Sequence, residues 1–153
     1  MNKMVRTEEV LRVYNVLSAA KYQKMDDEDK VKVWKIVRKL KPVATKYDED
    51  SKDAAEKMKP SEDFTERLEK AREYERQRQA NETATAMTEQ EYRDFITEFR
   101  KYNELVSKAV KEFADKEVEI EFDNLSEDAF GKLMSSNDWN MEQVSLVGDF
   151  VCE

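Results

Sequence analysis

Starting at Val33, the positions Val37, Leu40, Ala44, Tyr47, Ser51, Ala54 and Met58 follow at steps that alternate between four and three. That alternation draws one seam along a helix of the coiled-coil type. Only Ser51 breaks its apolar character, and no Gly interrupts it. The spacing predicts a long helix over residues 26–59, opened by Asp26, Asp27, Glu28 and Asp29, whose charges suit the positive end of the helix dipole. Pro42 lies inside the pattern. It lacks a backbone donor and crowds the carbonyl four residues earlier, so a kink near Lys39 is expected, or a break into helices near 28–40 and 42–58. The apolar register crosses Pro42 without a slip, which favours one kinked helix. A seam of this length needs other helices to cover it.

Residues 89–116 supply the natural cover. Tyr92, Phe95, Phe99, Tyr102, Val106, Ala109 and Phe113 repeat the same alternation, and Thr88 with Glu91 matches a capping box. Two shorter helices accompany the pair. One covers about 8–23, with Thr7 as N-cap and Val10, Val13, Tyr14 and Leu17 on its apolar face. The other covers about 62–79, after the breaker Lys59-Pro60-Ser61, with Ser61 as cap and Phe64, Leu68, Ala71 and Tyr74 inward. Residues 1–6 read as a short tail and residues 80–87 as a mobile loop. With only two Gly and two Pro in 153 residues, a fold rich in tight turns is disfavoured.

Beyond residue 116 the period changes. Val118, Ile120 and Phe122 alternate with Glu117, Glu119 and Glu121, the pattern of a short strand with one apolar face. No second strand is evident, so this segment is expected to lie across helices or to pair with another copy. Ser126 and Asn140 are placed to cap short helices over about 127–134 and 141–151. The expected fold class is therefore mostly all-α. Residues 1–116 form a helical bundle built on an antiparallel hairpin of 26–59 with 89–116. Residues 117–153 form an acidic arm that is not an independent domain.

Charge is unevenly spread. The net charge is −8, yet residues 117–153 alone carry ten acids against Lys132. From Lys30 to Tyr47 there is no acid, while Lys32, Lys35, Arg38, Lys39 and Lys46 gather near one helix face beside Trp34. This basic belt is a candidate anion site for a phosphate, nucleotide or nucleic acid. Its plainer role is the solvated back of an amphipathic helix, or a partner for the chain's own acidic arm. The acidic balance of the whole chain argues against general nucleic-acid binding. Trp139, in a polar turn, is a candidate partner contact with Trp34, since interface hot spots favour Trp. Its plainer role is to fold back onto the bundle.

Several chemistries are excluded by residue type. There is no His, so Ser-His-Asp and Cys-His catalysis and imidazole metal sites are absent. The single Cys152 forms neither an intrachain disulfide nor a thiolate metal site alone. Gly131 and Gly148 are the only glycines, too few for a phosphate-binding glycine loop. Carboxylate-metal chemistry stays open; Asp26–Asp29 and Asp48–Asp50 are the densest acid clusters, and their ordinary role is solvation at helix positions. No signal-peptide core or membrane-length apolar run is present, so a soluble protein in a reducing compartment is expected.

Two stretches carry a resemblance. LRVYNVLSAAKYQKMDDEDKVKVWKIVRKLKPVATKYDEDSKDAAEKMKP is a helical pair running into a long charged helix, and VEIEFDNLSEDAFGKLMSSNDWNMEQVSLVGDFV is a short strand followed by two small helices. This layout resembles that of small helical proteins encoded by phages and prophages. The resemblance implies a viral accessory protein in a bacterial cytoplasm or virion, and no catalytic residues. The expected function is that of a non-enzymatic interaction protein without cofactors, either an assembly factor or an inhibitor of a host or defence protein. It would work as a homo-oligomer in which the acidic arm reaches a neighbour's basic belt. The alternative is a small-ligand binder holding a phosphate or nucleotide in the belt.

Overall fold

The computed structural model describes residues 2–152. Among them, the order is β1 (Asn2–Arg6), α1 (Thr7–Ser18), α2 (Asp27–Lys57), α3 (Phe64–Gln79), α4 (Glu89–Asp115), β2 (Glu117–Glu121), α5 (Glu127–Ser135) and α6 (Met141–Val151). The fold is mostly α, as the helical periodicities indicate. It divides into two compact units, one of residues up to Glu49 together with those from Glu112, the other of Asp50–Lys111. These are not the divisions that the charge split suggests. The segment after 116 is no free arm; it belongs to the first unit together with the N-terminal residues.

In that first unit, β2 pairs antiparallel with β1, with Asn2 opposite Glu121, Val5 opposite Val118 and Arg6 opposite Glu117. The expected N-terminal tail is thus the partner strand that the sequence had not revealed. Val5 and Ile120 point inward, while Asn2 donates across the pair to Glu119 at 2.9 Å and Arg6 is ion-paired with Asp115. Thr7 is not an N-cap. It is the first residue of α1, and its buried hydroxyl donates to the Lys116 carbonyl at 2.8 Å. α1 packs on α6 through the fully buried Val10, Val13 and Leu17. It stops at Ser18, earlier than expected, because the next backbone groups find other partners. Asn137 accepts from the Lys21 N–H at 2.8 Å and donates to the Lys21 carbonyl at 2.9 Å, and Ser136 accepts from the Lys24 N–H at 3.1 Å.

The first half of α2 contributes Val33, Ile36 and Leu40 to this core. Helix α2 runs unbroken through Pro42, so the one-helix reading holds. Proline in a helix interior costs about 3 kcal/mol or more. Pro42→Ala should recover about 1 kcal/mol of that cost, read as a higher urea midpoint followed by tryptophan fluorescence. Ser126 and Asn140 cap α5 and α6 as expected, the latter in a capping box with Gln143. Lys3 donates to the carbonyls of Asp149 at 3.1 Å and Phe150 at 3.4 Å, a cation placed at the negative end of α6.

In the second unit, α3 and α4 meet through Phe64, Ala71 and Phe95, with Leu68, Tyr92 and Phe99 packed around them. Ser61 does not cap α3. Asp63 holds the cap position, and Ser61 donates to its carboxylate at 2.6 Å. Thr88 does accept from the Glu91 N–H at 3.1 Å at the start of α4. The loop over 80–87 is tied by Gln77, whose side-chain oxygen accepts from the N–H groups of Thr85 at 3.0 Å and Ala86 at 3.2 Å. α4 packs on the end of α2 through Tyr102, whose hydroxyl donates to the Ala55 carbonyl at 2.6 Å.

Arg67 grips Glu98 with two parallel bonds, of 2.6 and 3.1 Å. That contact holds the Glu98 carboxyl below its usual value of 4.5. A depressed carboxyl stabilises the fold above the unfolded-state value and loses that contribution as pH falls through the folded one. Both side chains are about a third exposed, so the contribution is about 1 kcal/mol. Glu98→Gln should cost about that much at neutral pH. It should also flatten the acid limb of the unfolding midpoint below pH 4.5, measured by urea denaturation at stepped pH.

Candidate binding groove on the first half of α2

Helical geometry divides α2 sharply. Val33, Ile36 and Leu40 are 0–1% exposed and Val37 packs beside them, so Trp34, Lys35, Arg38 and Lys39 face out. Lys35, Arg38 and Lys39 are exposed there and Lys32 is half-buried. Trp34 stands 54% exposed, with Val31, 48% exposed, three residues before it. The Arg38 guanidinium lies over the Trp34 ring, 4.7 Å from its centroid. Such stacking desolvates little of the charge and shields one ring face.

The cations differ in what they already hold. Lys32 lies 3.9 Å from both Glu28 and Asp29. Among the described residues, Lys35, Arg38 and Lys39 have no carboxylate within ion-pair distance. By contrast, Arg6 pairs with Glu8 and Asp115, Arg12 with Glu142, and Lys132 with Asp26 at 3.1 Å. The pairing with Asp26 also pushes the Lys132 ammonium above its usual value.

Lys32, Lys35, Arg38 and Lys39 line one side of an open groove of about 490 Å³. Glu121, Phe122 and Asp123, at the end of β2, line the other. Phe122 fixes that wall, because its ring is 7% exposed and stacked on Phe150 at 5.4 Å. The remaining expected site residues lie elsewhere. Lys46 is further along α2 and does not line the groove. Trp139 is half-buried against the core of the first unit, the plainer of the two roles expected of it, and does not stand out as an exposed contact. Sequence reasoning missed Val31 and the whole 121–123 wall. Exposure at Val31 follows from the same helical spacing that buries Val33, but nothing local announces that residues 121–123 return to face residues 32–39.

The arrangement offers charge and stacking, with no paired acid and base. Burial, and then Glu127, push the Cys152 thiol above its usual value, so it is not a ready thiolate. Among the described residues, no group of three Cys, Asp or Glu is placed to hold a metal ion, and no helix is long and apolar enough to cross a membrane. Comparison with protein-family models, with curated protein sequences and with solved structures finds no match.

Proposed function

We propose that the protein is a non-enzymatic interaction protein whose contact surface is the outer face of the first half of α2, and that it docks an acidic surface of a partner protein there. The observation that carries this reading is Trp34, 54% exposed beneath Arg38 on a stretch free of acids. Trp and Arg are the residues most enriched in interface hot spots. Unpaired Lys35 and Lys39 beside them favour encounter with negative surfaces. The resemblance in layout to phage-encoded helical proteins, read from the sequence alone, points to an accessory role, in assembly or in blocking a host or defence protein. Homo-oligomerisation belongs to the same proposal in an altered form. The acidic segment packs within its own chain, so a second copy would bring an acidic surface, not an exchanged arm, to the α2 face. Light scattering at low and high salt tests that version, and a strict monomer in both confines the reading to a foreign partner.

A random peptide library panned on the immobilised protein tests the docking surface. Acidic sequences should be enriched. Trp34→Ala and Arg38→Ala should each weaken the selected peptides about tenfold or more. Because Trp34 is a surface side chain, Trp34→Ala should leave the unfolding free energy within about 0.5 kcal/mol of the parent. Enrichment of neutral or basic peptides, or affinity unchanged by both substitutions, would overturn the reading.

A further inference from the structure

We infer that the groove between α2 and residues 121–123 is a ligand site for a small phosphomonoester that also carries N–H donors, a nucleoside monophosphate with an exocyclic amine being the simplest member of that class. This goes beyond the docking reading: the two share Lys35, Arg38 and Lys39, but the ligand site also needs the acidic wall of Glu121 and Asp123, which docking does not use.

The groove's two walls carry opposite charge and do not neutralise each other. Lys35, Arg38 and Lys39 form no ion pair among the described residues, and neither do Glu121 and Asp123, although all line one space. The core behind them fixes the backbone of both walls. Ile36 and Leu40 anchor α2 at 1% and 0% exposure, and Phe122 is locked on Phe150. A ligand with an anionic end and a donor end satisfies both walls at once. A phosphate suits the basic wall, since Arg38 offers a planar fork while Lys35 and Lys39 act as point charges. An amine suits Glu121 and Asp123, which as carboxylates only accept. The same carboxylates repel a plain polyanion, which separates this site from one for nucleic acid. At about 490 Å³ the space lies within the usual range for small-molecule pockets.

The test is a titration of the full chain, read by backbone amide NMR, with adenosine monophosphate, inorganic phosphate and adenosine. Adenosine monophosphate should bind saturably and shift the amides of residues 32–39 and 121–123. Phosphate and adenosine should each bind about tenfold more weakly or worse. Lys35→Glu with Lys39→Glu should abolish binding of both phosphate compounds. Should that pair perturb the fold, Lys35→Gln with Lys39→Gln gives the same readout with a smaller loss. Glu121→Gln with Asp123→Asn should strengthen phosphate and narrow its gap to adenosine monophosphate. Trp34 touches Arg38, so Trp34→Ala should weaken adenosine monophosphate by about threefold, well short of its loss of about tenfold or more on acidic peptides, and that difference tells this site from the docking face. Absence of saturable binding by adenosine monophosphate overturns the inference. So does equal binding of phosphate or adenosine, or binding that survives loss of both lysines.

Discussion

Phe64→Ala should destabilise the unit of Asp50–Lys111 by about 3–5 kcal/mol, the usual cost of emptying a buried phenylalanine site. Phe64 is 2% exposed and sits where three other rings converge. Its centroid lies 5.5 Å from Phe95, 6.2 Å from Phe99 and 4.7 Å from Tyr102. Beyond Phe64, only Ala71 and Phe95 are fully buried in that cluster, so little apolar material is available to refill the space. Tyr102 would also lose a neighbour that fixes its ring while it holds the Ala55 carbonyl. Both tryptophans, Trp34 and Trp139, belong to the other unit, so their fluorescence is a poor reporter. Hydrogen exchange over 64–79 and 89–111 is the appropriate measurement. A loss of protection worth under about 1 kcal/mol there would mean that the ring cluster is not the core of this unit.

Removal of Asn2–Arg6 should have the second large effect, in the unit that holds the groove. Burial of Val5 alone is worth about 1.5–3 kcal/mol. The deletion also takes away the ladder opposite Glu117–Glu121, the Arg6–Asp115 pair and the Lys3 contacts at the end of α6. The backbone of β2 would lose its partner beside the buried Ile120. Tryptophan fluorescence in urea should show a drop of more than about 3 kcal/mol. Met4→Lys is the control, because Met4 is 61% exposed and faces away from the core. A deletion no worse than that control would show β1 to be dispensable.

That strand also marks where sequence reasoning stopped short. β2 was legible because three apolar residues alternate with three glutamates. β1 was not, because in NKMVR the exposed Met4 adjoins the buried Val5 and blurs the period. Its signal lies in the pairing, where Asn2, Met4 and Arg6 stand opposite Glu121, Glu119 and Glu117, and Lys3 and Val5 opposite Ile120 and Val118. The long helices were readable from spacing alone, and Ser126 and Asn140 from the chemistry of an N-cap. Ile36 escaped the seam through Val33 and Leu40 because it sits one step off the alternation, yet it is among the most buried residues of α2. For the site, the basic wall was visible as a run of Lys and Arg without acids. The acidic wall was not, since Glu121 and Asp123 meet it only through long-range packing.

The pairing of β1 with β2 sets an order of events for a chain made from its N-terminus. Residues 50–111 are contiguous, so all of that unit's chain is available while residues 112–153 are still missing. The other unit must wait, because Val10, Val13 and Leu17 find their cover in a helix that ends at Val151. Until then the apolar face of α1 and the edge of β1 stay open to other molecules, among them chaperones and other nascent copies. The same separation predicts that closure of this unit is the slower step of refolding, to be read by tryptophan fluorescence after dilution from urea. Joining residues 2 and 152 by a short linker and opening the chain within 80–87 would turn that distant encounter into a local one. It would speed closure while leaving both cores intact.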